Sequence, residues 1–149
     1  MSFFDYYVPG NQLTFSSKFQ PEYECRSLIS KDLRSFTKSS LCKSNYFHSL
    51  PLILNKNVQR ILETYRDEQF FYFVHEMTLD ETLFDRIYRM KDFNERMASF
   101  YIRLILDAMI YLDKFDCVLI SFDPMSYRFS GEEDNSLKLC EFYFNKASL

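Results

Sequence analysis

Residues 57–115 read NVQRILETYRDEQFFYFVHEMTLDETLFDRIYRMKDFNERMASFYIRLILDAMIYLDKF, and the period assigned to this stretch decides the fold. Val58, Ile61, Leu62 and Tyr65 recur at helical spacing behind Asn57, an acceptable N-cap. Phe70 to Val74 is a run of five apolar residues that suits a buried strand or a helix. The polar Glu63, Arg66, Asp67 and Gln69 lead straight into it, which favours helix. Thr78 with Glu81 three places on has the form of a capping box, opening a helix with Leu83, Phe84, Ile87 and Tyr88 inward. Asp92 with Glu95 repeats the arrangement. Beyond it Met97, Phe100, Tyr101, Leu104, Ile105, Ala108 and Leu112 form a broad apolar face, widened by Ile102, Leu106, Met109 and Ile110. A helix so apolar needs cover on several sides.

Outside this stretch the texture changes. CVLISF at 117–122 is bounded by Asp116 and Asp123-Pro124 as a strand would be. SGEEDNS at 130–136 is a polar turn, and Leu137 to Phe144 alternates in the manner of a hairpin. The expected fold is α+β, a predominantly helical, bundle-like body with a small C-terminal antiparallel hairpin or sheet. Only two glycines occur in 149 residues. Glycine supplies left-handed turns and phosphate-cradling loops, so its scarcity argues against an all-β fold and most nucleotide-binding folds.

Upstream, residues 1–25 form an irregular arm rich in aromatics, broken by Pro9-Gly10 and Pro21; Gln12 to Ser16 suits a short strand. Residues 26–149 are read as one α+β domain. Its opening segment, 26–56, is basic and rich in serine, with a short helix permitted by Leu28, Ile29, Leu33 and Phe36. Charge is divided unevenly. Residues 1–60 hold eight Lys/Arg against four Asp/Glu, a net of +4, and residues 61–149 hold ten against seventeen, a net of −7. Such halves attract one another or meet partners of opposite sign.

Chemistry-bearing motifs are scarce. His75-Glu76 begins like HExxH but lacks the second histidine. Cys25, Cys42, Cys117 and Cys140 show no CxxC, and Cys42 with His48 makes no metal site alone. Glu63/Asp67 and Glu81/Asp85 share helix faces on this reading, as solvated acidic faces do. Gly10 and Gly131 are isolated, so no glycine-built phosphate loop is expected. These features predict no enzyme, cofactor or metal.

Phe and Tyr make up 19% of the chain, more than one small core is expected to hide, and interfaces concentrate such residues. The expected function is therefore a non-catalytic protein-interaction or scaffold subunit of an intracellular complex, an adaptor with one or more protein partners as a homo- or hetero-oligomer. Phe3, Phe4, Tyr6 and Tyr7 are the candidate contacts, with Arg34 and Lys38 as charged contributors. The alternative is a nucleic-acid-binding accessory protein using Arg26, Lys31, Arg34, Lys38, Lys43, Lys56 and Arg60 on phosphates, with Tyr46 and Phe47 stacking on bases. Phosphorylation of Ser27, Ser30, Ser35, Thr37, Ser39, Ser40 or Ser44 would cancel local positive charge. No signal peptide or apolar run of membrane-spanning length is present, so an intracellular protein, nuclear or cytoplasmic, without membrane association is expected.

Overall fold

The computed structural model describes residues 2–13, 21–40, 54–115, 117–119, 123–140 and 142–144. They fall into two compact units, Met1–Leu52 with Arg60–Met77, and Ile53–Gln59 with Thr78–Leu149.

The first unit is a five-stranded antiparallel sheet. Its strands are β1 (Tyr7–Gln12), β2 (Glu22–Ser27), β3 (Leu33–Ser40), β4 (Ile61–Arg66) and β5 (Phe70–His75), in the order β1-β2-β3-β5-β4. The expectation of a helical bundle is thus overturned, since Ile61–Arg66 and Phe70–His75 form a β-hairpin. The physical reason lies at Asp67. Its Oδ1 accepts from the backbone N–H of Gln69 (2.8 Å) and Phe70 (2.7 Å), and its own N–H donates to the Phe70 carbonyl (3.0 Å). An aspartate closing its own turn needs no glycine. The polar run that suggested a continuous helix is the turn, and FFYFV is the aromatic, β-branched strand such composition favours.

The β2–β3 turn replaces glycine in the same way. Ser27 Oγ accepts from the N–H of Ile29 and Ser30, and Lys31 takes a left-handed φ of 65°. The short helix expected at Leu28 to Phe36 is therefore a turn and the start of β3.

One face of the sheet carries an aromatic layer. Ser2 caps the 3₁₀ turn Phe3–Asp5 in a capping box, which turns Phe3 down onto the sheet, where it is fully buried. Its ring stacks on Tyr72 (centroids 4.9 Å apart) and Tyr7 (5.3 Å) and packs on Phe36 (4.7 Å). Tyr23 stacks on Phe36, and Tyr6 on Tyr65. Residues 7–12 of the expected arm are strand β1, and 22–25 belong to β2.

The second unit contains α1 (Leu83–Arg89), α2 (Glu95–Asp113), β6 (Cys117–Leu119), β7 (Tyr127–Phe129), β8 (Leu137–Leu139) and β9 (Phe142–Phe144). Strands β6 and β9 pair antiparallel, as do β7 and β8. Helix α1 starts one turn later than the Thr78–Glu81 reading: Thr82 is the N-cap, reciprocated by Asp85. Helix α2 is capped by Asn94 rather than Asp92. It buries Tyr101, Leu104, Ala108 and Leu112 along one stripe, while Phe100, Ile102, Leu106 and Ile110 are exposed. Among the described residues no helix is long and apolar enough to cross a membrane.

Candidate functional site

Strand β3 separates the chemistry of the first unit, because successive side chains leave opposite faces. On the aromatic face lie Arg34, Phe36 and Lys38. Arg34 Nη1 donates to Tyr7 Oη (2.5 Å) and sits 3.6 Å from a Glu63 carboxylate oxygen. Tyr7 and Tyr65 both donate to Glu63 Oε2, at 2.5 and 2.9 Å. Burial, reinforced by Glu63, pushes the Tyr7 phenol up to about 12, and Tyr65 is raised by the same two causes. Burial also pushes the neighbouring Cys25 thiol to about 12, so it is inert as a nucleophile at neutral pH. Lys38 lies exposed, with its ammonium 5.0 Å from the centre of the Phe70 ring.

The opposite face is polar and buried. Ser35 Oγ donates to Glu22 Oε1, and Thr37 Oγ1 lies 3.0 Å from His75 Nε2. Register explains the grouping. Ser35 stands directly across from His75, and Thr37 across from Glu22. All four are buried, and each has at least one polar partner, as burial requires.

In the second unit the chemistry converges on Arg86, itself buried. Its guanidinium donates to both Glu81 oxygens (3.2 and 3.0 Å), Asp134 Oδ1 (3.2 Å) and the carbonyls of Gly131, Glu132 and Glu133. It also covers the Phe129 ring at 3.4 Å. Tyr101 donates to the same Asp134 oxygen (2.6 Å), and Arg89 reaches Glu81 (2.5 Å). The Glu81 carboxyl is held below the usual range by its bond to Arg86. Burial pulls Arg86 down, but Glu81 and Asp134 outweigh it and the net shift is upward. This is a clamp that fixes the acidic 130–136 turn on α1.

The candidate contact residues are dispersed. Phe3 and Tyr7 are buried in the aromatic layer, Tyr6 is half-buried, and Phe4 is exposed with its edge on Tyr72. Arg34 is engaged with Tyr7 and Glu63. Arg26 donates to the Lys31 carbonyl and Lys31 to that of Leu28, so both tie down the β2–β3 turn. Lys56 and Arg60 are exposed. Lys43, Tyr46 and Phe47 lie outside the described residues. Sequence reasoning missed Arg86 and the Glu22–Ser35–Thr37–His75 group. The acidic GEED turn, which demands a cation nearby, was the available signal for the first; nothing in the local pattern marks the second.

No family model matches the chain. Known structures match it closely. Rad53 residues 1–466 in complex with AMP-PNP superposes with a TM-score of 0.80 over 97% of this chain and 40% of that one, at 15% identity. The fold is kinase-like. In sequence, calcium/calmodulin-dependent protein kinase type 1 of Macrobrachium nipponense is 28% identical over 103 residues, 68% of this chain and 30% of the relative. Human ribosomal protein S6 kinase alpha-2 is 33% identical over 92 residues, 60% of this chain and 13% of the relative. MAP kinase-interacting serine/threonine-protein kinase 2 of Xenopus laevis is 30% identical over 89 residues, 59% of this chain and 19% of the relative. The chain thus spans under a third of the length of these curated relatives.

These likenesses overturn the expectation of a non-catalytic scaffold or adaptor: the relatives are enzymes, and the sheet of the first unit belongs to their fold. Scarcity of glycine misled because the β4–β5 and β2–β3 turns are closed here by Asp67, Ser27 and Lys31.

Protein kinases hold Mg²⁺·ATP with a glycine-rich loop after β1, a β3 lysine on the phosphates, a His-Arg-Asp loop and an Asp-Phe-Gly triplet. The residues of this chain do not fit that set. LTFSSKFQP, from 13 to 21 between β1 and β2, has no glycine; FDCVLISFDPMS, from 115 to 126, has no His-Arg-Asp. No Asp-Phe-Gly triplet occurs; Asp92-Phe93-Asn94 and Glu141-Phe142-Tyr143 share only part of it. Among the described residues no group of three or more His, Cys, Asp or Glu is arranged to hold a metal ion.

Proposed function

We propose that this chain is a portion of a protein-kinase-type domain, and that the intact protein acts inside the cell, where ATP is available, in phosphorylation of protein hydroxyl groups. The observation that carries this reading is the kinase-like fold shared over nearly the whole chain. The curated relatives support it, including one named as a serine/threonine-protein kinase. The protein partner is then a substrate polypeptide presenting serine or threonine.

Within this reading the first unit contributes a rigid sheet. The aromatic layer and the Tyr7–Glu63–Arg34 web fix the positions of β1, β3 and β4 through side chains. The Arg86 clamp does the same for α1 and the 130–136 turn. Rigid elements of this kind position reacting groups in phosphoryl transfer, where catalysis is largely positioning and charge stabilisation. No transfer step is assigned to this chain's own residues, since they depart from the kinase signature at each motif.

The test is incubation of the intact gene product with radiolabelled ATP, Mg²⁺ and a mixed library of serine- and threonine-containing peptides. Phosphate incorporation above the enzyme-free control is expected. Incorporation no greater than that control across the library would remove the proposed activity.

A further inference from the structure

The β3 lysine is the sharpest departure, because here a lysine is present on β3 but its ammonium is engaged over an aromatic ring. In the kinase signature that residue pairs with the nucleotide phosphates. In this chain Lys38 shares the aromatic face with Phe36 and lies over Phe70. The adjoining position on the other face is Thr37, bonded to His75, and beside it the buried Glu22 carboxyl is bonded to Ser35.

We infer, resting on the kinase-type reading above, that Lys38 is a structural residue of the aromatic layer and that no β3 cation of this chain holds nucleotide phosphates. Three observations carry this. First, the lysine cannot reach the polar face by a rotamer change, since side-chain direction is set by strand pleat. A one-residue slip would move it, but would also expel Phe36 from beneath Phe3 and drive Ser35 and Thr37 into the aromatic layer. Second, the ammonium already has a favourable site over Phe70. Third, the opposite face of β3 presents Ser35 and Thr37 rather than a cation, and the carboxyl bonded to Ser35 there is the buried Glu22. With no glycine in the β1–β2 connection, the backbone there also lacks the residue type that lets kinase loops close over phosphates.

The experiment compares intact wild-type protein with Lys38→Ala and Lys38→Arg by phosphate incorporation and by thermal unfolding with and without Mg²⁺·ATP. The expected activity of Lys38→Ala is within about twofold of wild type. Loss of a phosphate-holding group would cost on the order of a hundredfold or more. Without nucleotide, Lys38→Ala is expected to unfold about 2 °C lower, and Lys38→Arg to keep the wild-type value, because arginine preserves the cation over the ring. Hundredfold loss of activity in Lys38→Ala with unchanged nucleotide-free unfolding would overturn the inference. Should wild type prove inactive, the proposed activity falls while Lys38 is still tested by the ATP-induced shift. A shift that is equal in wild type and Lys38→Ala, zero included, supports the inference; one seen in wild type and abolished by Lys38→Ala sinks it.

Discussion

The two units are held by different physics. In the first, Phe3 is sandwiched between Tyr7 and Tyr72 and backed by Phe36, so stability comes from burying flat aromatic area, with a rim of phenol hydroxyls bonded to Glu63 and Asp67. In the second, one buried arginine satisfies two carboxylates and three carbonyls. Aromatic layers degrade by degrees as rings are trimmed, since neighbours relax. A buried ionic hub fails abruptly, because removing its centre leaves several charges and acceptors without partners at once.

Arg86→Ala therefore has the largest expected effect. It leaves Glu81 unpaired on its buried side and frees the 130–136 turn, at a cost of about 3–5 kcal/mol. Chemical denaturation would read the loss, and hydrogen exchange should localise it to α1 and residues 130–136. Arg86→Lys is expected to recover little, since an ammonium cannot reproduce the forked contacts. A loss below 1 kcal/mol for Arg86→Ala would show that the clamp is ornamental and collapse the contrast.

Phe3→Ala comes next. Removing a fully buried ring costs about 3–5 kcal/mol at most, reduced to the extent that Tyr72 and Phe36 close over the gap. Near-UV circular dichroism of the tyrosines should weaken even if the protein stays folded. An unchanged signal would mean Phe3 does not sit in the layer.

Alkali should expose the phenol rim. Tyr7 and Tyr72 are both raised to about 12, chiefly by burial and then by their carboxylate partners Glu63 and Asp67. A phenol that ionises two units later in the folded state than in the unfolded one adds stability that is whole below pH 10. That stability drains away between pH 10 and pH 12. Absorbance near 295 nm should therefore show a late fraction of tyrosines, and Tyr7→Phe should shrink it. Uniform titration near pH 10 by a folded protein would contradict the burial of these hydroxyls.

The smallest effect is a gain. Lys31→Gly relieves the left-handed strain at φ 65°. It also forfeits the Lys31 Nζ bond to the Leu28 carbonyl (2.8 Å). A net increase of about 0.5–1 kcal/mol is expected from urea denaturation. Destabilisation instead would mean that the ammonium, rather than the backbone, holds this turn.

These particulars show what the sequence made legible. Helices α1 and α2 stood out because Leu83, Ile87 and the Tyr101–Leu112 stripe follow a long 3.6-residue period bounded by polar caps. The hairpin β4–β5 did not, because Asp67-Glu68-Gln69 connects two strands with residues that are equally common in helices. The alternation in ILETYR is half-masked by Leu62, which is partly buried on the other face. The β2–β3 pair was hidden by a turn built from serine and a left-handed lysine, so glycine content was the wrong gauge of β structure. The aromatic count pointed to a real feature but not to its place, since Phe3 and Tyr7 lie far in sequence from the Tyr72 and Tyr65 they respectively meet. Likewise the polar group on β3 depends on the register of β2, β3 and β5, which no local pattern encodes.

The kinase-like reading stands on Phe70–His75 being the strand between β3 and β4. The most direct measurement is a set of backbone nuclear Overhauser contacts in the isotopically labelled chain. Cross-strand contacts between Phe36 and Val74 and between Thr64 and Phe73 are expected. Sequential helical contacts running from Ile61 through His75, with those cross-strand pairs missing, would contradict it.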